Sequence, residues 1–429
     1  MADAVVRFRR KGAIELAALP PLALYVHLPW CLKKCPYCDF NSHEAPRLPP
    51  VATPRGGSGS GPAEPDPRLA LVTTPRGLAP EAETRYVDAL IADLEASLPQ
   101  VWGRRIASVF IGGGTPSLFS PEAIDRLLAA VRARLALEPG CEVTLEANPG
   151  TFERERFRAY RGAGVTRLSI GVQSFDDAAL QAIGRVHDAA QARAAVEEAA
   201  AAFDTFNIDL MYALPGQTLA ALDADLAAAL ACRPPHLSVY HLTLEPNTWF
   251  ASHPPALPDD DLASEMLDRI VERTGAAGLQ RYEVSAFARA GHRCAHNLNY
   301  WHFGDYLGLG AGAHGKLSFP DRIVRQVRWR DPATYIARAL EGRAVSNENE
   351  VAASELPFEF MLNALRLKDG FESALFVERS GQSIAAIDAT VECAVQRGLL
   401  QREGTRLRPT ERGFDFLSDL QALFLAPGG

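Results

Sequence analysis

The sequence of 429 residues is short of lysine and cysteine, and it contains neither a basic stripe nor a long apolar run; each shortage removes a class of function. Lysine occurs only at Lys11, Lys33, Lys34, Lys316 and Lys368, and the formal net charge is -8, so no phosphate-neutralising surface is expected and nucleic acid is not a partner. No apolar stretch of the roughly 20 residues needed to span a bilayer is free of proline and histidine. The opening residues carry Asp3, Arg7, Arg9, Arg10, Lys11 and Glu15, and Pro20-Pro21 interrupts the apolar run that follows. The reading therefore expects no secretory leader, a cytoplasmic protein, and no structural disulfides. Of the seven cysteines, Cys141, Cys232, Cys294 and Cys393 stand alone and read as ordinary buried thiols. What is abundant is hydrophobic content, 47 %, enough for a large core and two or three domains.

Short apolar runs at 23–29, 108–111, 142–146, 167–173, 207–212 and 236–244 alternate with segments of helical periodicity. One such segment opens with Ser120-Pro121-Glu122, a capping serine before a proline at the first helical position, and its apolar face carries Ile124, Leu127, Leu128, Val131 and Leu135. Alternation of this kind predicts an α/β fold with a parallel sheet. Each run ends in glycine or polar residues, which places six loops on one carboxyl rim, where (β/α) barrels assemble their sites. Residues 45–77 are rich in proline, glycine and serine and read as a flexible insertion. From Val345 onward the pattern changes to helices and a hairpin over Leu399 to Pro409, read as a small α/β accessory domain.

The most informative segment is Leu28-Pro29-Trp30-Cys31-Leu32-Lys33-Lys34-Cys35-Pro36-Tyr37-Cys38-Asp39-Phe40. Three thiolates can occupy three irons of a [4Fe-4S] cluster and leave the fourth iron open to a small molecule. Zinc is the alternative, with His43 completing a Cys3His set in a non-catalytic interaction module, but zinc sites commonly pair cysteines as two separated knuckles. The spacing resembles the cluster loop of the radical S-adenosylmethionine (radical SAM) enzymes, whose open iron chelates the methionine moiety of that cofactor. The resemblance implies a partial (β/α)6 barrel with Cys31, Cys35 and Cys38 as metal ligands. Gly113, Gly114 and Thr115, in a loop that is neither a G-x-G-x-x-G nor a Walker sequence, match the family segment that binds the methionine amino group. Glu146, Gln173, Arg185 and Asp209 become candidate contacts, since a sulfonium and ribose hydroxyls favour acceptors and a carboxylate favours guanidinium. Tyr25 and Tyr37 are placed to pack against the ligand, although aromatics there could equally be core.

Longer motifs narrow the resemblance. Tyr25 to Cys31, Cys35 to His43, Gly112 to Ser117, Gly171-Val172-Gln173-Ser174 and Asp209 to Thr218 look like the oxygen-independent coproporphyrinogen III oxidase-like family, over roughly Leu22 to Leu417. The true oxidases usually carry a further cysteine where this chain has Phe40, and a longer N-terminal extension. Both departures resemble the HemW-like haem chaperone branch, as does His296-Asn297-Leu298-Asn299-Tyr300-Trp301, which is similar to that branch's haem motif and implies His296 as an axial ligand. Cys294 is an alternative haem contact, and a buried structural role for His296 is the competing reading. The resemblance implies haem as ligand, an unidentified haem-acceptor apoprotein and a reductant such as flavodoxin or ferredoxin, and leaves open weak membrane association and a homodimer. It leaves open whether S-adenosylmethionine is cleaved, and makes a coproporphyrinogen III dehydrogenase the second reading, against which Phe40 speaks. The expected organisation is an N-terminal segment 1–21, a barrel over 22–250, an extension with the haem motif over 251–345 and an accessory domain over 346–429.

Overall fold

The computed structural model describes residues 14–45, 73–74, 77–150 and 156–425. Six strands alternate with helices as the sequence predicts: β1 (Leu22–Leu28), β2 (Arg105–Gly113), β3 (Ala136–Ala147), β4 (Arg167–Gln173), β5 (Thr205–Tyr212) and β6 (His236–His241). They lie side by side in chain order and every neighbouring pair is parallel. β1 shows why: Leu22, Leu24, Val26 and Leu28 pack into the main core toward the covering helices, while Tyr25 and His27 face the opposite way. A strand covered on both faces must be joined to the next by a crossover, and helices such as Pro80–Val101 and Pro121–Arg134 supply it. Ser120 caps the second of these by accepting from the Ala123 backbone N–H.

The sheet does not stop at six strands. The further strands β7 (Gln280–Arg281), β8 (Ala286–Ala288), β9 (Asp305–Leu309), β10 (His314–Phe319), β11 (Arg322–Arg328) and β12 (Val345–Glu350) extend it to twelve, in the order β7-β8-β6-β5-β4-β3-β2-β1-β9-β10-β11-β12. β9 joins β1 as a seventh parallel strand, and the pairs beyond it are antiparallel. The two ends of this sheet do not pair with each other, so the barrel is open. Helix Ala295–Trp301 crosses the interior against β1, β2 and β9.

A second core collects Phe303, Ile323, Phe360, Phe371, Phe376 and Leu407, with Phe360 in edge contact with the rings of Phe303, Phe371 and Phe376. It lies under helices Leu356–Ala364 and Ser373–Ser380 and a three-stranded sheet that includes the hairpin Leu400–Glu403 with Arg406–Pro409. Among the described residues no helix is long and apolar enough to cross a membrane. The expected insertion at 45–77 lies almost wholly outside the described residues.

Candidate functional site

The loop after β1 carries the three cysteines, and its shape is fixed from below. His27 Nε2 faces the Asn41 carbonyl at 3.0 Å, and a carbonyl only accepts, so this nitrogen donates and Nδ1 accepts from the Tyr25 hydroxyl at 2.9 Å. Burial lowers the His27 pKa to about 4, which keeps the ring neutral and suited to that relay. Asn41 in turn donates to the carbonyls of Ala311 and Arg330, tying the loop to the segments that follow β9 and β11.

The glycine segment at the end of β2 is laid against the same loop. Gly114 N–H donates to the Leu28 carbonyl and Thr115 N–H to the Trp30 carbonyl, each at 2.8 Å. A Cβ at Gly113, which has φ +120°, would come within 2.7 Å of the His27 ring, and one at Gly114 within 2.7 Å of the Trp30 carbonyl oxygen. Glycine is therefore required here by the approach of two backbones, independently of any ligand.

The thiols open onto one cavity of about 480 Å³, which runs from the cysteine loop across the ends of β2 to β6. Each sulfur has a polar neighbour: the Thr115 hydroxyl donates to Cys31 Sγ at 3.4 Å, Arg185 Nη1 donates to Cys35 Sγ at 3.6 Å, and Ser42 Oγ lies 3.4 Å from Cys38 Sγ. Burial raises the Cys31 pKa to about 11, partly offset by the Thr115 bond and the Arg185 charge. A thiolate at Cys31 thus needs a compensating cation. A cubane fits the donor set, since each of its irons takes one cysteine, whereas among the described residues no three His, Cys, Asp or Glu side chains converge on a single ion.

Below the thiols the cavity is lined by Glu146, Gln173, Arg185 and Asp209 together with Gly113, Gly114, Thr115 and Tyr37. Glu146 accepts from the Gly113 N–H at 3.0 Å. Its pKa rises to about 8, first from burial and then from the Asp209 charge, and burial raises Asp209 to about 6. Both carboxyls line the cavity, and neither is fully buried. A cationic ligand placed there would relieve both shifts. Asp209 is held by Ser169 at 3.1 Å and Asn207 at 2.7 Å. Arg185 Nη2 donates to Asn148 Oδ1 at 2.6 Å and to the Gly171 carbonyl at 2.7 Å, and Asn148 Nδ2 donates to Thr115 Oγ1 at 2.9 Å. Asn148 thus couples the Cys31 and Cys35 supports, a role that sequence reading missed for want of any local pattern. Gln173 holds a left-handed φ of 71°, a strained conformation for a residue with a side chain, where β4 ends at the cavity.

Two candidates lie off the lining. Tyr25 has its hydroxyl engaged by His27 and its ring stacked on Phe110 at 6.4 Å. His296 is 1 % exposed, with Nδ1 3.0 Å from Ser108 Oγ and its ring between Phe110, at 5.0 Å, and Tyr300, at 4.9 Å. Burial lowers its pKa to about 3, and Nε2 has no partner. A macrocycle reaches that nitrogen only if helix Ala295–Trp301 or its aromatic cover moves. Cys294 and Asn297, on either side of it, do reach the cavity, and the Cys294 thiol donates to Glu142 at 3.5 Å. Arg167 sits on the cavity floor with Nη2 buried and unpartnered.

A triple-cysteine loop over the carboxyl rim of an open parallel α/β sheet defines a radical SAM protein, and the sequence profile of the Radical SAM superfamily matches residues 25–229. The profile of the HemN C-terminal domain matches residues 351–416, over the second core. The fold is similar to that of the coproporphyrinogen III oxidase HemN from Escherichia coli, a radical SAM enzyme, with a TM-score of 0.74 over 95 % of this chain and 90 % of that one at 21 % identity. In sequence the chain is 43 % identical to the heme chaperone HemW of Escherichia coli over 96 % of its own length and 100 % of that protein's, and 42 % identical to HemW of Haemophilus influenzae over 95 % and 98 %. The chain belongs to the HemW family of heme chaperones.

Proposed function

We propose that the chain holds a [4Fe-4S] cluster on Cys31, Cys35 and Cys38, takes S-adenosylmethionine into the cavity beneath it, binds haem and passes it to an acceptor apoprotein. The observation that carries the reading is the convergence of the three thiols, the Gly113–Thr115 loop, Arg185 and the two raised-pKa carboxyls on one cavity. When bound, a cluster with one open iron supplies cofactor chelation and one-electron chemistry at the sulfonium. The chain's own residues do the rest. Arg185 places a positive charge against Cys35, and Thr115 stabilises Cys31 by hydrogen bonding. Glu146 and Asp209 provide the acceptor wall that a sulfonium and ribose hydroxyls need, and a bound cation would favour their ionised forms. Phe40 stands where the true oxidases usually carry a further cysteine, and it is exposed. The near full-length identity to heme chaperones supports haem as the cargo.

Anaerobic reconstitution with iron and sulfide, followed by haemin titration and a coproporphyrinogen turnover assay, tests this reading. Stable haem absorbance without decarboxylation is the expected result. Formation of protoporphyrinogen would overturn it in favour of a dehydrogenase, and absence of haem binding would remove the chaperone role.

A further inference from the structure

The mouth of the cavity presents side chains that the cluster and its cofactor do not account for. Phe40 is 63 % exposed and Tyr240 43 % exposed, and both line the opening beside Lys33 and His241. Of the eleven large apolar side chains left exposed among the described residues, five (Phe40, Val186, Tyr240, Leu244 and Trp249) come from the end of β6 and from the loops and short helix of this rim. Such clustering of apolar surface marks a binding face rather than scattered surface hydrophobes. The helix carrying Trp249 is fixed to the cysteine loop, because Phe250 N–H donates to the Pro36 carbonyl at 3.0 Å.

Resting on the chaperone reading above, we propose that haem lands on this mouth, with His241 as its accessible axial imidazole, Phe40 and Tyr240 against the macrocycle and Lys33 paired with a propionate. The three chemistries of the ligand each meet a matching group. His241 ends β6 with its ring 5.1 Å from that of Tyr212, which holds it in place, and partial burial favours its neutral, metal-binding form. Lys33 is exposed and has no ion pair among the described residues, in a chain of net charge -8 with only five lysines. Asp39 and Glu245 also line the mouth and add negative charge, so the ammonium is the group left to receive a carboxylate. By contrast, the buried His296 is covered by Phe110 and Tyr300 and cannot be the first imidazole that an incoming haem meets.

The test is haemin titration of the reconstituted holoprotein, with spin state read by electron paramagnetic resonance and resonance Raman spectroscopy, on the parent and on His241→Ala, His296→Ala, Lys33→Glu and Phe40→Ser. Iron content and melting temperature confirm that each variant is folded and loaded. The parent is expected to show imidazole-ligated haem. His241→Ala should weaken binding about tenfold or more and lose that signature, while Lys33→Glu and Phe40→Ser weaken it severalfold with the signature retained. An unchanged His241→Ala, or loss of the imidazole signature in His296→Ala alone, overturns the proposal. Unchanged haem binding in all the mouth variants also overturns it and assigns the apolar rim to a protein acceptor. If the parent itself binds no haem, the failure lies with the chaperone reading instead.

Discussion

Replacing Gly114 by alanine isolates the contact that shapes the cluster loop. The added Cβ would lie 2.7 Å from the Trp30 carbonyl oxygen and 2.9 Å from the Pro29 carbonyl carbon and oxygen, which is 0.7 Å short of ordinary contact at 3.4 Å for the closest atom. All three atoms are backbone and cannot rotate away. The hydrogen bonds from Gly114 to Leu28 and from Thr115 to Trp30 oppose separation of the two segments. Overpacking of this kind costs about 1–3 kcal/mol, and stretching either bond adds about 1 kcal/mol. Because the displaced atoms directly precede Cys31, the strain should appear in cluster loading as well as in stability. We expect Gly114→Ala to hold substantially less iron and sulfide per chain than the parent after anaerobic reconstitution and to melt several degrees lower by circular dichroism. Gly162→Ala is the control: it sits in helix Phe157–Ala163 with nothing within 4 Å of its added Cβ, so it should be neutral or gain up to about 1 kcal/mol. A Gly114→Ala protein with full iron content and the parental melting curve would refute the reasoning.

Two further outcomes follow from buried charge. Asp93 and Arg328 are both almost fully buried and paired at 3.2 Å, with the Tyr335 hydroxyl donating to Asp93 at 3.0 Å and Arg328 donating to Ser97 at 3.0 Å. Asp93→Ala leaves the guanidinium unpaired and should cost about 3–5 kcal/mol in urea unfolding at neutral pH; a loss below about 1 kcal/mol would contradict the pairing. Glu146 has its folded pKa raised to about 8, so the native state binds more protons than the unfolded chain above the ordinary carboxylate range. Stability of the apoprotein should then fall as pH rises from about 4.5 toward 8, and Glu146→Gln, always neutral, should flatten that part of the curve. Parallel melting-temperature profiles from pH 5 to 8.5 would show that Glu146 is not perturbed.

The legible parts of this molecule were those written locally. The six parallel strands came from apolar runs bounded by turn residues, and β4 spans the residues its run predicted, 167–173. β3 starts at Ala136, six residues before its run, because its first half is mostly exposed and contains Pro139-Gly140, features that read as a loop. β9 carried no parallel-strand signal of its own: its pairing with β1 joins residues about 280 positions apart in sequence, which no window detects. A separation of 235 residues likewise hid the Asp93–Arg328 pair, since an aspartate in an amphipathic helix reads as solvated. At the site, Cys31, Cys35, Cys38, Glu146, Gln173, Arg185 and Asp209 line one cavity: the cysteines lie in the loop after β1, Glu146, Gln173 and Asp209 lie on strands whose ends the rim brings together, and Arg185 enters from the segment after helix Asp177–Ala182. The bonding role of Asn148 was missed because its partners, Arg185 and Thr115, come from other segments of the chain. Tyr25 was placed correctly on a strand, but its hydroxyl is bonded to His27 beneath the cavity, a detail of side-chain geometry that sequence does not carry.

The central claim is that three thiols of one loop hold a cluster whose remaining iron is open to S-adenosylmethionine. Electron paramagnetic resonance of the anaerobically reconstituted, dithionite-reduced protein tests it directly. The account predicts a [4Fe-4S]+ signal that shifts when S-adenosylmethionine is added and is absent in Cys35→Ala. A signal indifferent to S-adenosylmethionine, or no cubane signal at all in the parent protein, would contradict it.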